Sequence, residues 1–206
     1  MVTLKASYMV KPDKETPTGL IYLSEFDQFN TITHAPTVYF YQPSGELTLN
    51  AIIHTLEDSL GKALIIFYPF AGRLQWIARG RLQINCNSMG AQFLEAESEA
   101  KIDDFGDFCP SSKTRALIPS VDYLGLGISH ALADGECAAH FISEWARIAR
   151  CEKLENLPFL DRTILQLEDP LPKTSFDHSD FKPPPLLIGH SNNTDERNKK
   201  TDVAML

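Results

Sequence analysis

The sequence predicts an α/β fold, a mixed sheet with flanking helices, from three observations. Short segments rich in β-branched and aromatic residues alternate with two stretches of helical periodicity, and glycines and prolines mark their borders. At 206 residues, 43% apolar and 22% charged, the chain has the length and composition to bury a core.

The elements follow in order. Residues 2–11 and 37–42 read as strands, bordered by Pro12, Pro36 and Pro43. From Thr48 to Ile66 the apolar residues Ile52, Ile53, Leu56, Leu60, Ala63 and Leu64 recur at helical spacing behind a capping threonine, which predicts an amphipathic helix. Gly72, Gly80 and Gly90 then separate residues 74–77, 81–86 and 91–96, three segments of hairpin length with strand character. Glu95, Glu97, Glu99, Asp103, Asp104 and Asp107 face Lys101 alone, and this run reads as solvated surface. A calcium loop would need carboxylates alternating around a turn glycine and closing on a glutamate.

Large and small residues alternate from Leu124 to Ser129, as in a buried strand with one bare face. From Gly135 to Arg150 the residues Ala138, Phe141, Ile142, Trp145, Ile148 and Ala149 fall on one helical face. Beyond Glu168 come Pro170, Pro172, Pro183, Pro184 and Pro185, then the polar run Ser191 to Lys200, where little can pack. We therefore expect an α/β domain over residues 1–165 and a Pro-rich, polar crossover linker over 166–206. The apolar Val203–Leu206 at its end reads as a strand that begins and is cut off, so a continuation is expected.

Composition narrows the function. With 19 basic against 27 acidic residues the net charge is −8, which argues against a nucleic-acid partner, since duplex binding needs clustered Lys and Arg. Lys5 and Ser7 break the N-terminal segment before it can form a signal peptide, and no apolar run nears the ~20 residues of a membrane span. A cytoplasmic location with no membrane partner is expected. Cys86, Cys109, Cys137 and Cys151 are widely spaced and form no CxxC pair, so reduced, mostly buried thiols are expected.

The segment Leu124 to Gly135 carries the chemistry. His130 falls at the end of the predicted strand, in the bend before a helix, where a rigid element fixes a reactive side chain and the bend leaves it accessible. It is a candidate catalytic group or a satisfied core histidine, and Asp134 could be no more than the N-cap of the following helix. No HExxH occurs, and no further ligands complete a metal site with His130, Asp134 or His140. Ala131 stands where a GxSxG elbow around Ser129 would need glycine, and Gly125 and Gly127 do not complete GxGxxG.

At these residues the sequence resembles the BAHD acyltransferases of plants, and among them the spermidine hydroxycinnamoyl transferase-like group. The resemblance rests on His130-Ala-Leu-Ala-Asp134-Gly135 as the HxxxDG motif, with Phe67–Arg73, Thr33–Tyr41 and Phe141–Arg147 in the family's order. It implies a chloramphenicol acetyltransferase-like N-terminal domain and transfer of a hydroxycinnamoyl-type acyl group from acyl-CoA to an amine, such as a polyamine, or a hydroxyl. His130 would be the general base, since histidine ordinarily titrates near neutral pH. Asp134, which in the family pairs with an arginine, and Gly135 would be structural, holding the bend. His34, Thr37 and Tyr39 match positions lining the acceptor pocket, or form an ordinary strand entry. Acyl-CoA would be a co-substrate with no other cofactor, and the intact family enzyme would be a monomer.

The sequence departs from the family twice. The family's second domain and its DFGWG motif are not among the 206 residues, so most of the CoA-binding surface and oxyanion stabilisation are expected to lie outside them. Tyr123 also runs straight into Leu124, where the family carries roughly two dozen further residues, the length of a hairpin. Two expectations follow. The chain is the N-terminal half of such a transferase, catalytic through His130, or it is a non-catalytic truncated fragment or interaction module related to these enzymes.

Overall fold

The computed structural model describes residues 2–29, 34–35, 37–41, 47–118 and 128–166, all within one compact unit, Met1–Leu167. In chain order the elements are β1 (Val2–Val10), β2 (Gly19–Tyr22), α1 (Glu25–Phe29), β3 (His34–Ala35), α2 (Leu49–Ile66), β4 (Arg73–Ile77), β5 (Arg81–Cys86), β6 (Ala91–Ser98), α3 (Ser112–Arg115), β7 (Ile128–Ser129) and α4 (Gly135–Ala149). All pairing among the described strands is antiparallel: β1 with β6, β5 between β2 and β4, and β3 with β7.

Alternation makes β5 the central strand of its sheet. Leu82, Ile84 and Cys86 point into the core, while Arg81, Gln83 and Asn85 stand on the other face. The turn into β6 requires glycine. Gly90 has φ of 96°, and a Cβ there would come within 2.3 Å of the Val10 carbonyl oxygen.

Thr48 caps α2 as its position predicts, its hydroxyl accepting the Ala51 N–H at 3.2 Å. The helix stops at Phe67, where Pro69 cannot continue it. Its inner face, Leu60, Ala63 and Leu64, meets α4 through aromatic packing. Phe70 stacks on Phe141 with ring centres 4.7 Å apart, and Phe67 meets Phe141 edge-on at 5.3 Å. The Trp145 indole N–H donates to the Ser59 hydroxyl at 2.9 Å, so its polar edge is satisfied within the packed face.

A second cluster lies under the three-stranded sheet, formed by Leu23, Leu82, Ile84, Cys86 and Ala131. Helix α1 closes its edge. The Gln28 side chain donates to the Leu82 carbonyl at 2.9 Å and accepts the Leu82 N–H at 2.8 Å, completing the β5 ladder as a neighbouring strand would.

Two expectations meet a different outcome, and one lies outside the described residues. Residues 37–41 form no regular structure, since strand-prone residues make a strand only beside a partner and no described strand pairs with them. Residue 42 and residues 119–127, which include most of the strand expected before His130, lie outside the described residues. Of the four cysteines only Cys86 is buried, while Cys137 and Cys151 are exposed, because α4 directs its apolar stripe elsewhere and Cys151 follows its end.

Phe67 sits where α2, α4 and the Phe70 turn converge and is 2% exposed. Phe67→Ala should lower the unfolding free energy by about 3–5 kcal/mol, read from urea denaturation followed by tryptophan fluorescence. A loss below about 1 kcal/mol would place the core elsewhere.

Candidate active site

The bend between β7 and α4 is held from both sides. Ile128 packs against the helical cluster, whereas Ala131 is fully buried in the sheet cluster with Leu132 against it. Ser129 and Ala133 are buried as well. Within the bend, the Ser129 carbonyl accepts the N–H groups of Leu132 at 2.9 Å and Ala133 at 3.1 Å, closing a tight turn. His130 is the residue left outside: it is exposed, and among the described residues no hydrogen bond engages its ring.

Asp134 ends the bend by capping α4. Its Oδ1 accepts the Cys137 N–H at 2.8 Å, and this bond holds the carboxyl below the usual aspartate range. Partial desolvation of the otherwise exposed Cys137, together with the Asp134 carboxylate, pushes its thiol up. No arginine pairs with Asp134 among the described residues. A Cβ on Gly135 would meet nothing within 4 Å, so no described neighbour demands glycine there.

The acceptor-pocket candidates divide. The β3–β7 ladder sets the backbone of His34 opposite Ser129, next to His130 in sequence. Thr37 and Tyr39 are exposed. Tyr39 stacks on Tyr41 at 6.4 Å, and no hydrogen bond or ring contact among the described residues joins either to His130.

Two residues the sequence reading missed shape the site. Glu144 is buried on α4 and accepts the N–H groups of Glu155 at 3.1 Å and Asn156 at 3.4 Å, folding the chain back after the helix. The returning chain brings Arg162 to the bend, where its Nη2 donates to the Leu132 carbonyl at 2.5 Å and its Nη1 lies 3.0 Å from Asp27 Oδ1. Neither residue belongs to a periodic pattern; a glutamate interrupting the apolar face of α4 was the one available signal.

Among the described residues no group of three or more His, Cys, Asp or Glu could hold a metal ion, and no helix is long and apolar enough to cross a membrane. The Ser129 hydroxyl is the one buried side-chain polar atom among them without a hydrogen-bond partner.

The described elements form a mixed α/β domain in which His130 and Asp134 flank one bend. A family model described as "Transferase family" matches residues 1–124 and 120–205, and the chain belongs to that family, the BAHD acyltransferases. It is 40% identical to hydroxycinnamoyl-CoA:piscidic acid hydroxycinnamoyltransferase of Actaea racemosa, over 100% of this chain and 51% of that protein. It is likewise 40% identical to shikimate O-hydroxycinnamoyltransferase of Nicotiana tabacum, over 94% of this chain and 49% of that protein. Hydroxycinnamoyl-CoA:5-hydroxyanthranilate N-hydroxycinnamoyltransferase HHT1 of Avena sativa is 34% identical over 91% of this chain and 48% of its own. The crystal structure of vinorine synthase shares the fold, with a TM-score of 0.67 at 23% identity over 79% of this chain and 46% of that one. The chain spans about half the length of the curated relatives it matches. The match to the Actaea protein runs over 229 positions against this chain's 206 residues, so that relative carries extra residues inside the matched span. The two stretches matched by the family model overlap over residues 120–124, which include the Tyr123–Leu124 junction.

The cap on α4 can be tested. Asp134→Ala should cost about 0.5–2 kcal/mol at neutral pH, and Asp134→Asn, which keeps an accepting oxygen, less. Because the folded carboxyl titrates below its ordinary value of 3.8, its charge-dependent contribution is present above that value and lost as the pH falls through the lowered one. The stability gap between wild type and Asp134→Ala, from urea midpoints between neutral pH and about pH 3, should narrow at the acid end. A gap that widens there would mean that the carboxylate does not stabilise the helix.

Proposed function

We propose that this chain contributes the general base of an acyl transfer from a hydroxycinnamoyl-type CoA thioester to an amine or hydroxyl acceptor. The observation that carries the reading is the exposed His130 imidazole, standing on a bend whose neighbours Ser129 and Ala131 are buried. An accessible base on a fixed support is what proton removal from an acceptor requires. His130 takes the acceptor's proton as its oxygen or nitrogen attacks the thioester carbonyl. Collapse of the tetrahedral intermediate breaks the C–S bond, and the imidazolium returns the proton to the CoA sulfur. The thioester already activates the acyl group, so acyl-CoA serves as co-substrate and the chemistry calls for no further cofactor.

The relatives' names include both O- and N-acyl transfer, which supports either acceptor class. The net charge of −8 favours encounter with a cationic polyamine. His34, Thr37 and Tyr39 are proposed to line the acceptor pocket, with Asp134 and Gly135 holding the bend. The proposal places the intact enzyme in the cytoplasm as a monomer, without nucleic-acid or membrane partners.

A second reading, a non-catalytic interaction module, is favoured by the apolar surface after α4: Leu157 and Phe159 are each 73% exposed and Ile164 is 68% exposed. The two readings separate on CoA release from p-coumaroyl-CoA with spermidine or shikimate. The assay uses this chain alone and this chain fused to the second half of the tobacco relative. Turnover by the fusion, reduced about 10²-fold or more in His130→Ala, is the expected result. An unchanged rate in His130→Ala would remove His130 as the base. Absence of turnover in both, with a doubled mass in light scattering, would favour the module.

A further inference from the structure

The turn carrying His130 is fixed at its ends by the β3–β7 ladder and the Asp134 cap, and below by Ala131. Its middle has one more attachment. The Leu132 carbonyl, two residues after His130, accepts from Arg162 Nη2, and the same guanidinium reaches Asp27 with Nη1.

Asp27 is itself immobilised. Its second oxygen accepts the Ser24 N–H and the Ser24 hydroxyl, each at 2.8 Å, and the Gln28 amide beside it is locked to both backbone groups of Leu82 in β5. The guanidinium therefore bridges α1, which is locked onto β5, and the His130 turn. Its side chain is 24% exposed and that of Asp27 19%, so water and salt screen the pair less than an open surface contact. A planar fork holds a carboxylate and a carbonyl at once in fixed geometry, each through a charge-assisted bond, whereas a lysine ammonium has the donors but not the rigid span between them.

Resting on the reading of His130 as the base, we propose that Arg162 is a positioning residue: it sets the orientation of the His130 turn through the Leu132 carbonyl, with Asp27 as its anchor. Displacement of a reacting group by about 1 Å can cost 10²-fold in rate, so such a bridge bears directly on the chemistry.

The test uses the full chain and does not depend on turnover. The readouts are the His130 imidazole resonance in carbon–proton NMR and amide exchange at Leu132 and Ala133, with Ala63 and Leu64 in α2 reporting global stability. Arg162→Ala and Asp27→Asn should each move the His130 resonance and speed exchange at Leu132 and Ala133 by about tenfold, with α2 exchange unchanged within about threefold. Arg162→Lys should fall between wild type and Arg162→Ala, and Arg150→Ala, which removes an arginine elsewhere on the surface, should match wild type. An unmoved His130 resonance in Arg162→Ala and Asp27→Asn would overturn the proposal, as would equal acceleration at the turn and in α2. Should Arg162→Ala fail to fold, Asp27→Asn and Arg162→Lys decide by the same criteria. A moved resonance in a chain whose fusion shows no acyl transfer would uphold Arg162 and reject the base, so the two failures are told apart.

Discussion

The structure depends on the opposed burial of the residues either side of His130. Ser129 and Ala131 are both sequestered, and a tight turn that buries both neighbours leaves the residue between them directed outward. Ile128 belongs to the aromatic cluster between α2 and α4, whereas Ala131 belongs to the cluster under β2, β4 and β5. The bend thus joins two cores. Its geometry is a property of how those cores sit against each other, and because interiors are close-packed, a volume change in either one is transmitted to the turn.

This explains why parts remote in sequence bear on one imidazole. The stacking of Phe70 on Phe141 sets where α4 lies on α2, and the start of α4 is where the bend must arrive. Asp134 marks that arrival with its capping bond. Helix α1 contributes through Gln28 and Asp27, although its five residues contain nothing that would be chosen as chemistry from the sequence. Support of this kind lies around the exposed imidazole rather than in it.

Legibility followed the range of the interaction. The α2 and α4 helices, the Thr48 cap and the strands β1, β4, β5 and β6 rest on periodicity and local capping, which a sequence displays directly. The segment at 37–41 misled because β propensity describes fitness for a ladder and says nothing about whether a partner strand is present. Cys137 and Cys151 misled because a tendency of free cysteines to be buried is an average, whereas their place on or after α4 is set by which face packs. Glu144 and Arg162 were missed for a third reason. Their partners are backbone groups, the Glu155 and Asn156 N–H and the Leu132 carbonyl, and every residue but proline presents the same backbone chemistry. The motif His130–Asp134 was legible as a motif; the bridge beneath it was not.

Magnitudes indicate what such a bridge contributes. A general base alone supplies about 10²–10⁴-fold, against the 10⁶-fold or more by which enzymes accelerate reactions. The remainder must come from orientation and from stabilising charge in the transition state. Orientation is what the described residues are built to provide: two cores, a capped helix and a guanidinium converge on a turn of five residues from His130 to Asp134. An imidazole on a mobile loop would present the same titrating group without the fixed line of approach. On the proposed reading, the difference between a surface histidine and a base lies in the residues that hold the turn, and Ala131, Asp134 and Arg162 act on it from three directions.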